Sequence, residues 1–181
     1  VEEIDVSIVA YQHITCEDNT LWMRFDGQAG DELYVQVGVP VIPRLEAYRP
    51  SLAVFAPGLE PSGSAPYIPP TDLPGIVYTA SESSEDFFEP FTQTESWIWI
   101  EETLTLPADG EGWIVAWHPE NWTGKMWVAV GTREDFSDVG FEDFGTWMAY
   151  LNDFHEKNSS PNIPVEESCE EEVPSGGCQV V

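Results

Sequence analysis

The chain has 181 residues, with 33 Asp and Glu against six Lys and Arg and a formal charge of −27, yet 42% of it is hydrophobic. The charge excludes nucleic acid and anionic lipid headgroups as partners, because a strongly negative surface repels both and draws cations and basic partners. Eight Trp, nine Phe and six Tyr exclude a disordered polyanion, since aromatics at this density build a core.

The predicted elements are almost all strands. Ile4, Val6 and Ile8 alternate with Asp5 and Ser7 and predict a first strand over 4–11. Leu21 to Phe25 is a second, closed by the Gly-punctuated turn 26–31. Glu32 to Val39 is a third, with Leu33, Val35, Val37 and Val39 on one face, and Ser51 to Ala56 a fourth. Residues 57–75 hold Pro57, Pro61, Pro66, Pro69, Pro70 and Pro74 and read as an irregular excursion. Gly75 to Thr79 is a short strand, followed by an acidic stretch from Glu82 to Phe91. Ser96 to Leu106 is β-branched and aromatic throughout. After a turn over 107–112, Trp113 to Trp117 and Lys125 to Val130 predict a hairpin joined by His118 to Gly124. Both of these strands are apolar on both faces, which places them at a sheet centre. Phe144, Trp147, Met148, Leu151 and Phe154 recur at helical spacing and predict one helix over 145–157.

The fold class expected is all-β, a jelly-roll-like β-sandwich over 1–157 with one C-terminal helix, then an acidic Pro- and Cys-containing tail or stalk over 158–181. No run of about 18 apolar residues occurs, so these residues are not expected to enter a membrane directly, although an anchor could follow residue 181 in a longer precursor.

Local stretches resemble the bacterial pre-peptidase C-terminal domain, a secreted β-sandwich. "WMRFDGQAGDELYVQV" is similar to that family's opening hairpin, "RPSLAVFAPG" to its next strand, and "LTLPADGEGWIVAW" with "GKMWVAVG" to its closing pair. The stretch from Glu89 to Trp97 also resembles uncharacterised bacterial and algal surface proteins that carry "EPFTQT" before a Trp. The resemblance implies a domain outside the membrane with no assigned catalysis; the excursion at 57–75 and the helix lie outside the family's pattern.

Candidate chemistry is sparse. Asp26, Asp31 and Glu32, with Gln28, share one turn and supply several of the six to eight oxygens that Ca²⁺ needs; a solvated charged turn is the alternative. His13, Cys16, His118 and His155 lack the spacing of a closed transition-metal site. Trp97 and Trp99 share a strand face, Trp117 lies on another strand and Trp122 is close by in sequence; exposed, these indoles would stack on pyranose rings, and buried they would pack the core. Paired carboxylates abound, which makes any one pair uninformative for glycosidase chemistry, and no Gly-x-Ser-x-Gly elbow occurs. Asn121-Trp122-Thr123 and Asn158-Ser159-Ser160 are N-glycosylation acceptors. Cys169 and Cys178 flank a Pro- and Gly-containing loop that could close as a local disulfide, unless Cys16 takes one of them.

These readings converge on an extracellular or cell-surface binding module without catalysis, its ligand a glycan, a divalent cation or a basic protein surface. The alternative is a subunit of an extracellular homo-oligomer or larger assembly bridged by cations. A hydrolase is the remaining class.

Overall fold

Nested strand pairing generates the architecture. The computed structural model describes Val1 and residues 3–135, 143–157 and 169. In it β1 (Ile8–Ile14) pairs with β9 (Gly124–Val130), β2 (Thr20–Gly27) with β8 (Gly110–Trp117), β3 (Glu32–Pro40) with β7 (Thr94–Thr105) and β4 (Ser51–Phe55) with β5 (Gly75–Thr79). All four pairs are antiparallel, so the chain behaves as one long two-stranded ribbon. The ribbon rolls up when β9 also pairs with β3 and β8 with β4. The result is a five-stranded sheet, β1-β9-β3-β7-β6, against a four-stranded sheet, β2-β8-β4-β5, with β6 (Glu85–Glu89) on the outer edge. This is a jelly roll, the expected all-β sandwich with a single C-terminal helix, α1 (Asp143–Phe154).

Period-2 alternation sets the core. Leu33, Val35, Val37 and Val39 are fully buried along β3, and Phe25, Leu52, Val54 and Ile114 answer them from the other sheet. Each sheet is also covered on its outer face, which is why β8 and β9 are apolar on both sides. Over the four-stranded sheet, Ala65, Tyr67 and Leu73 of the proline-rich excursion pack on Ala53, Phe55, Val115 and Trp117. The excursion is held there by Ser62, which exchanges backbone hydrogen bonds with β5 through Gly75 O and Val77 N. Over the five-stranded sheet, Phe154 of α1 packs with Ile98, Trp127, Ala129 and Tyr11.

The C-terminal end of α1 is fixed ionically. Buried Lys125 donates from Nζ to Phe154 O at 2.9 Å and to Glu156 Oε1 at 2.9 Å. Arg44, just past the sheet in the 3-10 turn Pro43–Leu45, grips the same carboxylate with both terminal nitrogens. Lys157 donates to Gln93 O in the β6–β7 turn. Cations at a helix C-terminus meet its unsatisfied carbonyls and the negative end of its dipole.

Several expectations are corrected. The predicted hairpins do not pair: β8 lies in one sheet and β9 in the other, and β2 and β3 are likewise split between sheets. Their loops step across the sandwich instead of turning within a sheet. The first strand is Ile8–Ile14, not 4–11; Ile4 is buried, but Val6 makes only an isolated bridge to Arg133. The acidic stretch contains β6, where Phe87 sits opposite Ser96. Cys169 is bonded to Cys16, across 153 residues, and not to Cys178. Distance in the sequence was no obstacle, because the sandwich brings the β1–β2 turn beside the His118–Gly124 loop, where Cys169 N also donates to Asn121 O. Apart from Cys169, the tail over 158–181 lies outside the described residues, Asn158 and Cys178 included.

Two stability tests follow. A Cβ on Gly38 would stand 2.1 Å from the Trp127 ring, which lies flat across β3 at that point. Gly38→Ala is expected to cost about 2–3 kcal/mol by overpacking, whereas Gly145→Ala, on α1 with open space around it, should stabilise by about 0.5–1 kcal/mol; urea unfolding of both variants checks this. Cys16→Ser should lower the unfolding free energy by about 4 kcal/mol, because the bond closes a very long loop; a loss below ~1 kcal/mol would show that the bond contributes little.

Candidate functional site

The outer face of the five-stranded sheet is only partly covered by α1. Beside the helix runs a groove of about 280 Å³ that crosses all five strands. Each strand contributes outward side chains by its pleat: Tyr11 from β1, Trp127 from β9, Tyr34 and Gln36 from β3, Ser96 from β7, Phe87 and Glu89 from β6. Trp127 is the floor. Its Nε1 donates to Ser96 Oγ at 3.0 Å and its ring meets that of Phe87 at 6.4 Å between centroids. Phe87 itself is 37% exposed. Gln36 donates to Glu101 at 3.0 Å, leaving its carbonyl oxygen to accept from a ligand.

Hydrogen bonding fixes the wall nearest α1. His155 Nδ1 lies 2.9 Å from Leu151 O, and a carbonyl only accepts, so this nitrogen carries the proton. Nε2 then accepts from Ser96 Oγ at 3.4 Å. The Ser96 hydroxyl therefore donates to His155 and accepts from Trp127 while buried, a relay that ties β7 and β9 to the end of the helix. Burial holds His155 below the usual histidine range. Burial, with Glu89 and Tyr150 beside it, pushes the Tyr11 hydroxyl up to about 12, and burial with Glu101 and Glu85 does the same to Tyr34. Both phenols are protonated donors in a negative field.

The indoles proposed as one stacking surface are distributed over three places. Trp97 and Trp99 face the main core; Trp99 is buried, with the Arg49 guanidinium 3.5 Å above its ring. Trp99 Nε1 is, among the described residues, the one buried side-chain polar atom without a hydrogen-bond partner. Trp117 lies beneath the excursion, with Tyr67 5.8 Å away. Trp122 stacks on His118 at 4.8 Å and 11°. Burial on both sheet faces drew these rings inward, and sequence reading missed the groove because its rings come from four separate strands. The available signal was the pleat: Tyr34 and Gln36 occupy the face of β3 opposite the Leu-Val row.

The proposed cation turn forms a second, larger depression of about 410 Å³, in which Asp26, Asp31 and Glu32 are joined by Glu3 and Asp5. Its carboxylates have other work. Asp31 Oδ2 accepts from Gln28 N at 2.8 Å, Asp26 stands 3.6 Å from Arg24, and Arg133 binds Glu3 and Asp5 at 2.8 and 2.7 Å. Among the described residues no three His, Cys, Asp or Glu side chains are grouped to hold a metal. A third surface is aromatic: Phe91, 50% exposed, packs on Phe144 at 4.9 Å and on Trp147, 37% exposed, at 6.1 Å. Asn121 is exposed at the tip of the β8–β9 loop with φ of 54°. Comparison with family models gives no match, and no curated protein is similar to the chain.

His118 organises that loop, accepting at Nδ1 from Glu120 N and Trp122 N at 3.2 and 3.4 Å. Burial lowers its pKa from 6.5 to about 4. The unfolded chain thus takes up a proton first, so this contribution is complete above about pH 6.5 and lost as pH falls to about 4. The loss should be about 2–3 kcal/mol; His118→Asn, which keeps an acceptor, should flatten the decline, with a residue left by His13 and His155, whose pKa values burial also lowers. Denaturant titrations from pH 7 to 4 measure it, and an unchanged slope in the variant counts against the assignment.

Proposed function

We propose that the protein is a non-catalytic binding module displayed outside the cell, taking a glycan in the groove on the five-stranded sheet. The observation that carries this reading is the lining of that groove. Partly exposed rings from Phe87, Tyr11 and Tyr34 alternate with the hydrogen-bonding groups of Gln36, Ser7 and Glu89. Sugars present both kinds of surface, apolar ring faces and hydroxyl edges, and rigid aromatic sites with a few placed polar groups bind them. The volume suits one or two pyranose rings. The absence of catalysis is supported by Ser96, whose hydroxyl is buried and held by Trp127 and His155. Location outside the cell is supported by the Cys16–Cys169 bond, since disulfides persist in oxidising compartments, and by the exposed Asn121 acceptor. It agrees with the likeness to the pre-peptidase C-terminal domain. Divalent cations enter this reading as screening ions, Ca²⁺ among them, gathered by carboxylates such as Asp26, Asp31 and Glu32.

The second reading is an assembly subunit, favoured by the Phe91–Phe144–Trp147 surface. Large particles that dissociate in chelator, or with Trp147→Ser, would select it over the first.

A glycan array followed by titration tests the binding reading. Phe87→Ala and Gln36→Ala should each weaken the best ligand roughly 10-fold, while Trp22→Ala, exposed on the opposite sheet, should not. No saturable glycan binding, or equal loss at Trp22, sinks it. Expression in a eukaryotic secretory host should place a glycan on Asn121 that Asn121→Gln removes.

A further inference from the structure

All six basic side chains are engaged with other partners, and none of them lines the groove. Arg24 faces Asp26 and Glu111 across the four-stranded sheet; Arg44 and Lys125 hold Glu156; Arg49 covers Trp99; Arg133 ties down Glu3 and Asp5; Lys157 donates to Gln93 O. Burial holds the one histidine there, His155, below the usual histidine range. Its charged lining is acidic: Glu89 at the β6 end and Glu134 beyond β9. Glu101 is held next to it by Gln36. The groove is therefore a negative trough with aromatic walls, on a chain whose net charge is −27. Anionic sugars are repelled from such a site. A neutral sugar gains nothing from the field. An ammonium gains twice, from the carboxylates and from the exposed face of Phe87. Burial, with the nearby carboxylates adding to it, raises the Tyr11 and Tyr34 hydroxyls, and Tyr34 is already hydrogen-bonded to Glu101.

Resting on the glycan reading above, we propose that the groove selects a saccharide bearing a free protonated amine, its ammonium seated by Glu89 against the ring of Phe87, two residues away on the same face of β6. No covalent step is involved; the site discriminates by charge and ring contact. An N-acetylated sugar of the same shape lacks the cation and would leave Glu89 without a counter-charge.

The test compares a β-1,4-linked glucosamine disaccharide with its N-acetylated counterpart, titrated into the full chain at about pH 6, where the amine is protonated. The amine form should bind roughly 10-fold tighter, the size of one cation–π contact with one ion pair. That preference should shrink between about 0.05 and 0.5 M salt and disappear in Glu89→Gln. Asp26→Asn, in the acidic depression elsewhere, is the control for diffuse attraction to a polyanion. If it lowers the preference as much as Glu89→Gln does, the amine is not held in the groove and the proposal fails. Equal affinity for both disaccharides overturns amine selection but leaves glycan binding standing. No saturable binding of either overturns both.

Discussion

The ion cluster of Lys125, Glu156 and Arg44 is the constraint on which the outer layer depends. A helix whose C-terminal end is negative must dock on a chain that is itself a polyanion, and apolar contact through Phe154 alone would leave that end facing repulsion. Three of the six cations therefore converge on the last turn of α1: Lys125 from β9, Arg44 from beyond β3, and Lys157 from the helix's own end. Burial opposes ionisation of Glu156, but the hydrogen bonds from Arg44 and Lys125 outweigh it and hold its carboxyl below the usual range. A buried pair of this kind is expensive to break from one side, since a single partner left behind is an uncompensated charge. With α1 in place, His155 reaches Ser96, Trp127 is pinned flat, and the groove has a wall.

Much of the sandwich was legible because burial and pleat agree. The Leu33–Val39 row, the β7 ladder and the double-sided apolar strands β8 and β9 each read correctly as elements, and the helix was evident from its period. Connectivity was not legible. A loop such as His118–Gly124 has the length and composition of a hairpin connection, and only the competing partners, β1 and β3 for β9, β2 and β4 for β8, decide that the two strands separate. β6 was hidden because an edge strand needs only one apolar face, and its acids masked the alternation of Phe87 with its neighbours. The disulfide was hidden for the same reason as the topology, because proximity here is a tertiary fact.

The candidate site was legible least of all. Tryptophan count suggested exposed indoles, yet a jelly roll covered on both faces by an excursion and a helix has four apolar surfaces to fill instead of two, and most of the rings go there. What lines the groove beside the buried Trp127 is tyrosine and phenylalanine, with carboxylates nearby. The charge that composition announced as a diffuse shell becomes local chemistry at this point. Neither Lys nor Arg lines the groove, so its charged lining is acidic, and in the proposed reading the surface that repels polyanions elsewhere acts there as a filter.

The bond between Cys16 and Cys169 also sets how the molecule transmits force. Tension drawn between the Val1 end and a tether attached beyond Cys169 would run through the first sixteen residues and then cross directly between the two sulfurs. β2 through α1 would sit outside that load path as a closed loop, shielded from pulling for as long as the bond stays oxidised. A reductant would convert the same domain into an extensible one, adding the contour of the bypassed loop to its reach.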